Sequence, residues 1–180
     1  MTSVWMTRLV GAVLAAAMLG AGTSAMAQDA VRAAERQEIA ALTDRYIYGL
    51  DNQDADIYLS TVTPDAVITQ VTGVARGSAE IRKMIDDLRK ERRAKMPDGT
   101  PQPPRQHIVT NDYLEFAGPD RAKHRAYWLT VVGMGGNYRV ANMGRYEDEL
   151  AKLNGKWLFS SRNIINAVPL PSANVPTPPR

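Results

Sequence analysis

Strand follows strand through the second half of this chain, with turn residues between, and that pattern limits the fold more than any other feature. Gln106 to Phe116 reads as a strand ended by Gly118-Pro119-Asp120, and Ala122 to Val132 as one ended by Gly133, Gly135 and Gly136. Arg139 to Lys152 runs into Asn154-Gly155, a pair suited to the left-handed backbone of a tight hairpin, and Lys156 to Ala167 comes last. Turns this short join antiparallel neighbours, whereas parallel strands need a crossover of a dozen or more residues. The helical patterns all come earlier. Helices first and a long antiparallel meander afterwards predict an α+β fold rather than an alternating parallel one.

Ala34 to Asn52 is the first helical pattern, with Ile39, Leu42, Tyr46 and Leu50 at three- and four-residue steps on one face. Asp54 is placed to cap a short second helix carrying Tyr58, Leu59 and Val62, which Thr63-Pro64-Asp65 would close as a turn. Ala66 to Val71 reads as a strand. Arg76-Gly77-Ser78 reads as a turn, with Ser78 capping a third helix whose apolar stripe is Ile81, Met84, Ile85 and Leu88. Its basic end, Arg89, Lys90, Arg92, Arg93 and Lys95, is expected to be solvated, because positive charge suits a helix C-terminus. Pro97-Asp98-Gly99 breaks it, and Pro101, Pro103 and Pro104 keep the connection extended.

Both ends of the chain fall outside the domain. Arg8 is the only charge in the first 27 residues; the apolar run Leu9 to Leu19 and the small-residue end Ala25-Met26-Ala27 follow it. That order predicts a secretory signal over residues 1–27, cleaved before Gln28, and so a periplasmic or extracellular protein. Residues 28–168 then form one domain. The tail 169–180, with Pro169, Pro171, Pro176, Pro178 and Pro179, is expected to be disordered. There is no cysteine, which excludes disulfides, zinc-thiolate sites and thiol nucleophiles. A net charge of +3 gives no case for nucleic-acid binding. With no HxH, HExxH or Asp-rich loop, no metal is expected.

The residues with chemical potential are few. Tyr46 and Asp51 lie five apart near the end of the first helix, and His107 lies near the start of a strand. If the strand passes the helix end, a carboxylate can fix the imidazole tautomer while the ring moves a proton. Alternation puts His107, Val109 and Asn111 on one strand face, Asn142 and Tyr146 on another, and Ser161 with Asn163 on the last. Tyr127 and Trp128 point opposite ways, one toward pocket or core and the other at an interface. Arg145 and Arg162 are expected to pair with Asp148, Glu147 or a partner subunit. Asp51 as an exposed helix-end residue and His107 as a core histidine remain open alternatives.

Several segments together resemble a known family. They are Ile39-Ala40-Ala41-Leu42-Thr43-Asp44-Arg45-Tyr46, Leu50-Asp51-Asn52-Gln53-Asp54-Ala55 and Thr63-Pro64-Asp65-Ala66-Val67, with Gly77 and Ile81 after them. Arg105-Gln106-His107-Ile108-Val109-Thr110-Asn111, Gly144-Arg145-Tyr146-Glu147-Asp148-Glu149-Leu150 and Asn154-Gly155-Lys156-Trp157 with Arg162 continue the series. From about Ala34 to Ile165 the chain resembles the SnoaL-like family of the nuclear-transport-factor-2-like superfamily. The resemblance implies a cone-shaped, strongly bent antiparallel sheet around a pocket, closed by N-terminal helices. It matches Asp51, Tyr46 and His107 to acid–base positions of the scytalone and bile-acid dehydratases. Other positions depart: the second catalytic histidine falls near Val132, an asparagine at Tyr146, a serine at Gly144 and a strand aspartate near Thr130.

The resulting expectation is a cofactor-free dehydratase or isomerase, with Asp51, His107 and Tyr46 as catalytic residues. Asn111, Tyr146, Asn142 and Trp128 would contact a small hydrophobic or aromatic, hydroxylated or carbonyl compound. A homodimer or homotrimer is expected, with no membrane insertion after processing. The alternatives are a binding module for a small hydrophobic ligand and a purely structural dimeric domain.

Overall fold

A computed structural model describes residues 4–97, 100–134 and 136–167, with side chains from Met26 onward, Met134 apart. The predicted disordered tail 169–180 lies outside these residues. The chain divides into two units, Met1–Ala40 and Ala41–Arg180. Within the first, Arg32 Nη1 donates to Glu35 Oε2 at 2.7 Å, one turn along the helix. Among the described residues no helix is long and apolar enough to cross a membrane.

The elements are α1 (Val4–Asn52), α2 (Ala55–Leu59), β1 (Val62–Gln70), β2 (Gly73–Arg76), α3 (Gly77–Ala94), β3 (Arg105–Phe116), β4 (Arg121–Met134), β5 (Asn137–Leu153) and β6 (Lys156–Asn166). They form an α+β fold around one strongly bent six-stranded sheet, ordered β2-β1-β6-β5-β4-β3. The meander β3 to β6 is antiparallel throughout, as its short turns require. Register shifts at Thr110/Tyr113, Thr130/Val131 and Glu149/Leu150 bend it, because a bulge adds local twist and turns the strand.

Alternation fills the inner face. On β5, Tyr146, Asp148 and Leu150 are buried while Arg145, Glu147 and Glu149 are exposed. Trp128, Trp157 and Phe159 add the bulk of the core, with Ile81 and Ile85 from α3 and Leu42 and Tyr46 from the last turns of α1. Each such side chain contributes roughly 1.5–3 kcal/mol by leaving water. Gly144 lies opposite Trp128 on the neighbouring strand. A Cβ there would collide with the Ile165 carbonyl and stand 2.8 Å from the Trp128 ring. The missing side chain is what lets the indole lie across β5.

The first half departs from expectation in four places. Val62 belongs to β1, not α2, and Thr63-Pro64-Asp65 is strand rather than turn. The pairing of β1 with β6 is interrupted between Val62 and Val67, and β2 pairs only from Val67 on, so Pro64 has no ladder bond to lose. β1 runs parallel to β6, a long-range pairing that local pattern does not reveal. Ser78 does not cap α3; its hydroxyl donates to the Pro64 carbonyl at 3.4 Å, and Glu80 Oε2 accepts from the Arg76 N–H at 2.8 Å instead. The Asp54 cap forms as expected, with Oδ1 accepting from the N–H groups of Asp56 and Ile57 at 2.9 and 3.0 Å.

Candidate active site

The end of α1 meets the start of β3. His107 enters the strand after the Pro-rich connection, whose last carbonyl, on Pro104, accepts from the Gly133 N–H at 2.8 Å and sets the strand against β4. Asp51 then takes His107 with both oxygens. Oδ1 lies 2.5 Å from His107 Nδ1, and Oδ2 accepts from the His107 backbone N–H at 2.9 Å. A carboxylate that grips ring and main chain of one residue leaves the imidazole little rotation. With Nδ1–H donating to Asp51, Nε2 is the nitrogen free to accept a proton. Both side chains are largely covered, at 16% and 14% exposure, so their attraction is screened less than on an open surface.

His107 sits on the wall of a cavity of about 670 Å³. Tyr46, Tyr58, Trp128, Thr130, Asn142 and Tyr146 also line it, as do apolar groups of α1, α3 and β6: Leu50, Ile85 and Ile164. Asp51 stands behind the imidazole, bordering a second hollow of about 440 Å³ that shares His107 and Arg105 with the first. The volume and mixed lining suit a small, mainly apolar molecule with a few polar groups.

Of the residues read from the sequence, Tyr46, His107, Trp128, Asn142 and Tyr146 come together around this cavity, and Asp51 backs His107. Asn111 does not. It is exposed, its φ is 58°, and it sits in the bulge between Thr110 and Tyr113 that ends the alternation from His107. Ser161 and Asn163 are also absent from the lining; β6 turns Arg162, Ile164 and Asn166 inward instead. Alternation tells which residues share a face, not which face is inside. Tyr127 points outward and Trp128 inward.

Beneath the cavity lies a chain of charges that spacing alone did not assemble. Arg162 is fully buried and donates twice to Asp148, Nε to Oδ1 at 2.8 Å and Nη2 to Oδ2 at 2.6 Å. His124 Nδ1 meets Asp148 Oδ2 at 2.8 Å, and its Nε2 meets Asp112 Oδ1 at 2.7 Å. The guanidinium carbon lies 3.9 Å from the ring centres of Tyr46 and Phe159 and 4.3 Å from that of Tyr146. Burial would push the Asp148 carboxyl up, but Arg162 and His124 outweigh it and hold it below the usual carboxylate range. Burial, reinforced by the neighbouring Tyr46, pushes the Tyr146 phenol well above its ordinary value; burial does the same to Tyr58. These two hydroxyls therefore remain donors at any neutral pH. Tyr46 borders the cavity yet is wholly covered; its hydroxyl has a long 3.4 Å contact with that of Tyr58.

The two ring nitrogens of His124 are spent on different carboxylates, so the cluster is a charge chain rather than a metal cage. Among the described residues no group of three or more His, Asp or Glu side chains could hold a metal ion. The expected pairing of Arg162 with Asp148 is present, and Arg145 Nε lies 3.0 Å from Glu147 Oε1. The basic end of α3 is less solvated than predicted: Arg92 is half-buried. Burial, then nearby Arg105, pushes its guanidinium below the usual range, with Asp51 opposing them.

Solved structures share this architecture. An NTF2-like protein with a cystatin-like fold from Novosphingobium aromaticivorans is 20% identical over 82% of this chain and 91% of its own, with a TM-score of 0.68. A cystatin-fold protein of unknown function from Nostoc punctiforme is 25% identical over 76% of this chain and 93% of its own, with a TM-score of 0.62. A scytalone dehydratase-like protein from Novosphingobium aromaticivorans is 18% identical over 76% and 87%, with a TM-score of 0.59. No curated protein matches the sequence. The sequence profile of the SnoaL-like domain matches residues 31–163, most of the chain, and the protein belongs to the SnoaL-like domain family.

Proposed function

We propose that this protein is a cofactor-free dehydratase or isomerase that moves a proton on a small apolar hydroxylated or carbonyl compound. One observation carries the reading: His107 Nδ1 held 2.5 Å from Asp51 at the wall of a cavity large enough for such a compound. Asp51 fixes the tautomer of the neutral ring in which Nδ1 carries the hydrogen and Nε2 accepts, and it stabilises the imidazolium that forms when Nε2 takes a proton from carbon next to a carbonyl. The electron pair left on carbon moves to the carbonyl oxygen. Tyr46 donates to that oxygen, or to a departing hydroxyl, once the ligand presses into the aromatic floor. A binding module needs no such oriented base; an apolar cavity with Asp51 facing solvent would have favoured one.

Deuterium uptake tests this directly. Cyclohexenone in heavy water, followed by NMR, should exchange its α-hydrogens faster with the protein than without. Asp51→Asn and His107→Ala should each cut the acceleration by about 10²–10⁴-fold, the scale of a positioned acid–base group. No acceleration by the wild type across a set of small cyclic ketones would refute the proton-transfer reading.

We further propose export, supported by Arg8, the run Leu9 to Leu19 and Ala25-Met26-Ala27; mass spectrometry of the exported protein should find Gln28 first. Self-association is proposed through the outer face of β3, β4 and β5. Ile108 pairs across Leu129 with Met143 there, and Ile108, Tyr127 and Met143 are exposed. Arg125 and Glu147, opposite one another in register, supply both signs of charge beside it, which suits a second copy. Met143→Lys should shift sedimentation toward the monomer; an unchanged mass would refute this face.

A further inference from the structure

Arg105 is a half-buried cation that the proton-transfer reading leaves unused. It precedes His107 by two residues on β3, so both side chains leave the same face, about 7 Å apart along the strand. It lines the main cavity and the second hollow together with His107. Its Nε is buried without a hydrogen-bond partner, and among the described residues its side chain has no ion pair. A buried guanidinium nitrogen without an acceptor loses its hydration and recovers nothing.

The surroundings worsen the imbalance. Arg92, from α3, is close enough to Arg105 for the two to repel. The carboxylate that opposes this repulsion at Arg92, Asp51, has both oxygens engaged by His107. At this wall two cations face one committed anion, while the other carboxylates lining the cavity, Glu80, Asp87 and Glu91, stand on α3 together with Lys83. The same cavity offers apolar surface from Leu50, Ile85, Ile164 and Trp128.

We propose that Arg105 is a specificity residue that binds a carboxylate, so that the ligand class is an apolar or aromatic acid. The planar guanidinium matches a carboxylate with parallel hydrogen bonds, which a point charge cannot do. The apolar body of the acid lies toward Leu50, Ile85 and Ile164, and the spacing along β3 sets a carbon a few bonds from the carboxylate against His107. This inference rests on the proton-transfer reading for its substrate, but the recognition itself is a binding property and is measured without turnover.

Calorimetric titration of the full chain with phenylacetate and with phenylacetamide, which has nearly the same shape and no charge, tests it. The acid should bind at least about 10-fold more tightly than the amide, with the advantage shrinking as salt rises. Arg105→Gln should remove the preference, and Arg105→Lys should retain part of it. His107→Ala should keep the preference, which separates failure of the dyad from failure of the anion site. Equal binding of acid and amide, no binding of either at millimolar concentration, or a preference that survives Arg105→Gln would overturn the proposal. Acetate binding as tightly as phenylacetate would mean a bare anion site and would overturn the ligand class. Should Arg105→Gln fail to fold by circular dichroism, Arg105→Lys decides: a preference undiminished there also overturns the fork-like recognition.

Discussion

Replacing Asp148 with Asn should be among the most damaging single changes in this protein, and the size of the loss follows from its partners. Arg162 is fully covered and carries its charge beneath Tyr46, Tyr146 and Phe159, where among the described residues only Asp148 neutralises it at hydrogen-bond distance. Asparagine keeps one acceptor oxygen but sets an amide NH₂ against either Arg162 or His124, both donors there. Breaking a buried pair by removing one partner costs about 3–5 kcal/mol, because the other charge stays uncompensated. At roughly 2–4 °C per kcal/mol for a domain of this size, Tm should fall by about 6–20 °C. Urea denaturation with a constant m-value would confirm a stability effect rather than a change in compactness. The pH dependence has a definite sign. The Asp148 carboxyl lies lower in the folded than in the unfolded chain, so its contribution is fully present above the ordinary carboxylate range. It fades as pH falls through that range toward the folded value, and Asp148→Asn should flatten that acid limb. A loss below about 1 kcal/mol at neutral pH, with the acid limb intact, would refute the claim that this pair is a closed buried charge system.

Three further outcomes follow from the same geometry. The double variant Asp51→Asn/His107→Ala should be little worse in deuterium exchange than the worse single variant, since the two act as a unit; losses that multiply would show independent roles. Gly144→Ala should destabilise by about 1–3 kcal/mol and alter the near-ultraviolet circular dichroism of Trp128, because the new methyl collides with the Ile165 carbonyl and the indole; an unchanged spectrum would count against the close packing. Asp54→Ala should cost about 1 kcal/mol in denaturant unfolding through loss of the α2 cap, with Asp54→Ser recovering most of it.

The amino-acid sequence by itself determined the elements of the second half almost residue by residue. Asn154-Gly155 and the other short turns admit few partners for a strand except its sequence neighbour, so β3 to β6 could be ordered before any contact was known. The Asp54 cap and the Ile81/Ile85 stripe of α3 were equally local, each set by spacing within a few residues. The pairing of Asp51 with His107 was legible as a possibility, because a helix-end carboxylate and a strand histidine are the right chemical types. What tertiary structure alone decided was everything that depends on distance through space. The parallel pairing of β1 with β6 is one case, since nothing in Thr63-Pro64-Asp65 announces a strand whose partner is about 95 residues away. The inward face of β6 is another: alternation grouped Ser161 with Asn163 correctly, and only the curvature of the sheet chose Arg162 for the interior. Asn111 was lost to a bulge, one extra residue that reverses every later side chain. The pairing of Arg162 with Asp148 was anticipated, but its burial, its extension through His124 to Asp112 and the uncompensated Arg105 could not be read, because a charge has no local signature of burial. It becomes costly, and so informative, only when the fold removes the water around it.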